Sequence, residues 1–176
     1  VRDEVGVLDL PGFSRFSVSG KGCSAWINKQ ITGSLPKVGR MNLAYFADER
    51  GRVVTEMSLI RYQEDEFVLI TAASAQWHDY ELLKRVLPVD ESISVKDITL
   101  DYSTLIVTGP KSRKCLKNFV MADFELPWLS VQSGKIGSED VTLIRVSFAG
   151  EMGWEIHAKR DALPGIYELT LENGAK

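Results

Sequence analysis

Two carboxylates stand where a strand would ordinarily carry something else. Glu56 sits in the middle of "GRVVTEMSLIRY" (residues 51–62), and Glu155 follows Trp154 in "SFAGEMGWEIH" (residues 147–157). On the outward face of a one-sided sheet, Glu56 is a solvated charge. In a pocket it can pair with a cation or pass a proton, with burial raising its pKa and a cation lowering it. Both readings stand. Glu155 is likewise either a polar residue on the outer side of a strand or a ligand grip. A carboxylate beside an aromatic can hold a flat heterocycle that carries an amino group next to a ring N–H, because two donors match its two oxygens. Other reactive side chains are sparse. Cys23 and Cys115 are far apart and without CxxC spacing, and His78 and His157 are equally scattered. No disulfide framework or metal site follows from them.

The elements that must hold these residues show in the alternation of side chains. Residues 38–62 read as two strands joined at Asp48-Glu49-Arg50-Gly51. Taken as a strand, the second carries Val53, Thr55, Met57 and Leu59 on its better core face, so Glu56 looks out from the other with Val54, Ser58 and Ile60. By the same parity Trp154 and Ile156 face one way, and Glu155 and His157 the other. Further strands are expected at 5–10, 13–20 and 66–73, and further helices at 21–31 and 110–120. The clearest helix is 74–87, with Ser74 as its cap and a stripe of Trp77, Tyr80, Leu83, Val86 and Leu87. A last helix runs over 160–174, with Asp161 as cap and Gly174 past its end; Pro164-Gly165 interrupts it. Sequential strands with helices between strand groups predict an α+β fold of antiparallel sheets with packed helices. The strand–helix grammar repeats, giving two similar halves at 1–90 and 91–176, with no repeat at the level of residues.

Composition sets limits on function. The chain has 176 residues, 44% of them hydrophobic and 26% charged, with a formal net charge of −3. That is a globular composition with enough length for a real core. The slight acidity argues against a nucleic-acid partner, and the short basic run "KSRKCLKN" reads as a solvated helix face. No apolar run reaches the roughly 18 residues of a membrane span, and no targeting segment is visible. Reduced cysteines fit a bacterial cytoplasm or a mitochondrial matrix.

Five motifs occur in order: "VGVLDL…FSRFSVSG", "PKVGRMNLAYFADERGRVVTEMSL", "FVLITAASAQWHDYELL", "VTGPKSRKCLKNF" and "IRVSFAGEMGWEIHAKRD". Through them the chain resembles the folate-binding domain of the glycine-cleavage T-protein (aminomethyltransferase) family. It looks most like the branch of dimethylglycine and sarcosine dehydrogenases, in their C-terminal half. The resemblance implies a T-protein-like fold with a tetrahydrofolate site, where a one-carbon unit from an amine donor becomes methylenetetrahydrofolate. It implies a catalytic, proton-transfer role for Glu56, which falls on the second residue of the family's Asp-Asp pair. Thr55 replaces the first. Glutamate is one methylene longer, and a displacement of about 1 Å can cost ~10²-fold in rate. Glu155 matches the carboxylate that grips the pteridine. Phe148 stands where the motif has Tyr, Leu43 where many members have Tyr, and Ala72 where they have Asn. With Trp154, these complete the implied cofactor-binding set.

Two expectations concern what lies beyond the chain. The family continues past this C-terminus into an arginine-bearing segment, so the fold is expected to be partial. A dehydrogenase would also need FAD, held in an upstream domain that this chain lacks and that would be its partner. The alternatives to a transferase module are a non-catalytic folate-binding or interaction module, and an inactive fragment.

Overall fold

A computed structural model describes residues 1–147 and 150–176. The chain divides into two units, one of Gly12–Thr99 and one of Val1–Pro11 with Leu100–Lys176. The boundary expected at residue 90 therefore falls between Thr99 and Leu100, and the first eleven residues join the later unit. The reason is pairing: the strand at 93–97 completes the first sheet, and the N-terminal strand completes the second.

In chain order the elements are β1 (Gly6–Asp9), β2 (Phe13–Gly20), α1 (Cys23–Gln30), β3 (Arg40–Ala47), β4 (Val53–Gln63), β5 (Glu66–Ala72), α2 (Gln76–Arg85) and β6 (Ile93–Asp97). They continue with β7 (Tyr102–Thr108), α3 (Ser112–Lys117), β8 (Val120–Met121), β9 (Val131–Ile136), β10 (Glu139–Ile144), β11 (Gly153–Lys159) and α4 (Leu163–Glu172). The fold is α+β, as expected, and every strand pairing is antiparallel.

The unit of residues 12–99 holds a sheet of order β3-β4-β5-β2-β6. Its core lies on one face, where Phe16, Val18, Met57, Leu59, Phe67 and Leu69 pack with Cys23 and Ile27 of α1 and Leu83 of α2. Burial pushes the Cys23 thiol up to about 12, so it behaves as a small apolar group. The β3–β4 hairpin turns where expected: Gly51, at φ 74°, donates its N–H to the Asp48 carbonyl at 2.9 Å. α1 begins at Gly22, which has no side chain to cap it. Asp65, in the β4–β5 turn, caps it from outside by accepting the N–H groups of Ser24 at 2.8 Å and Gly22 at 3.0 Å. Those bonds hold the Asp65 carboxyl below its usual range.

Two expected caps are absent. Ser74 lies in a 3-10 turn, Ala73–Ala75, ahead of α2, and neither α2 nor α4 has a side-chain cap. Pro164 sits in the first turn of α4, where its missing N–H costs nothing, so the helix survives it. The expected stripe of α2 is also rotated. Trp77 is 73% exposed, whereas Asp79 is fully buried beside Leu83.

The other unit holds a sheet of order β1-β7-β11-β10-β9-β8. Leu105, Val107, Leu143, Trp154 and Ile156 form its core with Cys115 and Leu116 of α3 and Leu163 and Ile166 of α4. Apart from the short edge strand β8, the two sheets share one plan. β7, β9, β10 and β11 take the places of β2, β3, β4 and β5, and β1 fills the slot that β6 fills in the first unit. The two units thus share one strand order, with the N-terminal strand transposed. The segment after α4 lies along the outer edge of β1 instead: Val7 donates to the Lys176 carbonyl at 3.0 Å, and Lys176 to that of Val5 at 3.1 Å.

Candidate functional site

On the sheet of residues 12–99, strand parity sends Met57 and Leu59 to the helix side and Glu56 to the opposite face. Glu56 is exposed there. Its cross-strand partner on β3 is Tyr45, and the next pair on the same face is Leu43 with Ser58. Ser58 pairs in turn with Ile70 on β5, two residues before Ala72. Glu56, Leu43 and Ala72 thus share one patch, all three exposed. The Tyr45 hydroxyl donates a hydrogen bond to the Glu56 carboxylate, which, with the carboxylate's charge, raises the phenol's pKa. Thr55 points the other way. Its hydroxyl bonds Asp79 Oδ2 at 3.0 Å, Thr71 bonds the same oxygen at 2.5 Å, and His78 Nδ1 meets Oδ1 at 2.8 Å.

In the other unit, Glu155 and His157 project from the face of β11 opposite Trp154 and Ile156. Glu155 is buried, with a side chain 12% exposed. Its cross-strand neighbours are Ile106 on β7 and Ile144 on β10, both buried and apolar. His157 Nε2 lies 2.8 Å from Glu155 Oε2, and Thr104 Oγ1 lies 3.2 Å from His157 Nδ1. Among the described residues, His157 is the side chain that meets the Glu155 carboxylate. Trp154 is fully buried in the core, edge-on to Phe124 at 5.0 Å and 72°. It backs the strand that carries Glu155 and does not line the Glu155 face. Phe148 lies outside the described residues.

The sequence profile of the GCVT N-terminal domain matches residues 1–176. The chain belongs to that family. This GCVT N-terminal domain is 30% identical to the dimethylglycine dehydrogenase, mitochondrial, of Rattus norvegicus, across 99% of its own length and 21% of the relative's. It is 24% identical to an aminomethyltransferase of Flavobacterium psychrophilum, across 99% of the chain and 49% of the relative. The glycine cleavage system aminomethyltransferase T of Bartonella henselae has the same fold, with a TM-score of 0.83 at 20% identity over 97% of this chain and 46% of that one. The GCVT N-terminal domain described here therefore spans about half the length of the aminomethyltransferases and about a fifth of the dimethylglycine dehydrogenase.

Three polar residues, two beside the glutamates and one on the helix side of β4, were not singled out from sequence. Tyr45 and Thr104 reach their partners only through strand register, and Asp79 sits in a helix stripe that reads better with Trp77 inward. His157 could have been found, because it stands two residues from Glu155 on the same face.

Proposed function

We propose that this chain is a tetrahydrofolate-binding module of a one-carbon transfer enzyme of the dimethylglycine dehydrogenase and aminomethyltransferase kind. The observation that carries the reading is Glu155, a buried carboxylate between two isoleucines with one oxygen held by His157. Burying such a group is costly unless its lone pairs are met. A pteridine offers an amino group and a ring N–H side by side, which suits this acceptor pair. Tetrahydrofolate supplies the nitrogens that take up a one-carbon unit from an amine donor. The chain's part is to bind and orient it through Glu155 and to hold or move a proton at Glu56. Leu43 and Ala72 give the face around Glu56 its apolar character, and Trp154 stiffens β11 from the core side. In a longer enzyme, a dehydrogenase domain carrying FAD is the partner that would deliver the amine-derived unit.

Titration calorimetry with tetrahydrofolate tests the reading. The expected result is binding that Glu155→Gln weakens by about tenfold or more, as for loss of a charge-assisted bond. Equal affinity of the two proteins would remove Glu155 from the site. A second reading, a folate-binding or interaction module without turnover, is favoured by Thr55. It stands where the family motif has an Asp, yet it is turned to the helix side and bonded to Asp79. Binding without one-carbon transfer would select that reading.

A further inference from the structure

We propose that His157 is a positioning residue for Glu155: it locks the carboxylate in the orientation that receives a two-donor ligand, and Thr104 holds the far side of the imidazole ring. The proposal rests on the reading of Glu155 as a ligand anchor. A carboxylate oxygen only accepts hydrogen bonds, so the hydrogen in the 2.8 Å contact with Oε2 sits on His157 Nε2. In the neutral ring Nδ1 is then the acceptor, and the Thr104 hydroxyl, 3.2 Å away, is its donor. The register of β7 and β11 pairs Thr104 with His157 directly, so the hydroxyl is placed by a strand ladder and not by a loop. Both members of the Glu155–His157 pair are buried, with side chains 12% and 8% exposed.

This arrangement has a specific chemical value. Fixing Oε2 stops rotation of the carboxylate, so a ligand does not have to order it on binding. Oε1 and the second lone pair of Oε2 lie side by side in one plane, the geometry that two adjacent donors need. The preferred ligand is thus a planar heterocycle presenting two adjacent N–H donors.

The test combines a ligand-free and a ligand-bound measurement on the full chain. Long-range 1H–15N correlation reads the tautomer of His157, with His78 as the one other histidine in the chain. Titration with tetrahydrofolate then compares the parent with His157→Phe, His157→Gln and Glu155→Gln. The expected result is the Nε2–H tautomer in the parent. His157→Phe should weaken binding about tenfold, and His157→Gln, whose amide can still donate to Oε2, should stay within about threefold. An Nδ1–H tautomer in the parent, full affinity in His157→Phe, or equal losses in the Phe and Gln variants would overturn the proposal. If Glu155→Gln binds like the parent while the Nε2–H tautomer is seen, the anchor reading itself fails and the role of His157 falls with it.

Discussion

Tyr45 and Glu56 face each other across β3 and β4, and the phenol's bond to the carboxylate, together with the carboxylate's charge, keeps its proton on to higher pH than usual. The neutral phenol is the form favoured in the folded chain. The stability it contributes is therefore complete below the unfolded pKa of about 10 and is lost as pH rises through the higher folded value. In a spectrophotometric titration Tyr45 should ionise at higher pH than a free tyrosine, and Glu56→Gln should bring it back down. An unchanged curve would mean the two groups do not interact. Side-chain alternation was enough to place Glu56 and Glu155 on the faces opposite their cores. It could not supply Tyr45, because the register shifts between Phe46 and Ala47. Counting back from the turn pairs Tyr45 with Thr55, and only the bulge brings Glu56 opposite the phenol. Thr104 was hidden for a similar reason: it meets His157 from a strand some fifty residues earlier, with no local signal in the sequence.

α2 shows how a polar contact can turn a whole element. Its apolar spacing favours burying Trp77, yet the helix turns Asp79 inward, where Thr55, Thr71 and His78 meet the carboxylate. Removing that acceptor leaves the Thr71 hydroxyl buried without a partner. Asp79→Ala is expected to cost about 2–3 kcal/mol in urea unfolding, and Asp79→Asn clearly less, since it keeps an acceptor oxygen. Equal losses would show that the network adds nothing beyond packing. Most strands were legible as alternating runs, and α1, α2 and α4 lie close to their expected bounds. The helix starts were less so. α1 is capped by Asp65 from a distant turn, and α4 begins without the cap that Asp161 seemed to offer. Caps supplied across space leave no pattern along the chain.

At the scale of the whole molecule, the two sheets repeat one plan, but β1 takes in the second the place β6 takes in the first. Val5 lies in the core of that unit and Val7 packs against it. Deleting residues 1–11 should strip β7 of a neighbour and raise amide exchange in β7 and α4 at least about tenfold, with β4 and β5 unaffected. Uniform acceleration would mean that the units do not open separately. The transposition also bears on how the chain reaches its native state. Residues 12–99 form an uninterrupted stretch with everything their own sheet needs, so that unit can fold as soon as it leaves the ribosome. β1 precedes that unit in the chain yet must wait for β7, about a hundred residues later, before it can pair. Closing a loop of that length is slow for an unstructured chain, but folding of the first unit draws most of the intervening residues out of the loop. The sheet of the later unit therefore closes after that of residues 12–99 although its edge strand precedes them in the chain, and until then β1 is an unpaired apolar edge open to mispairing.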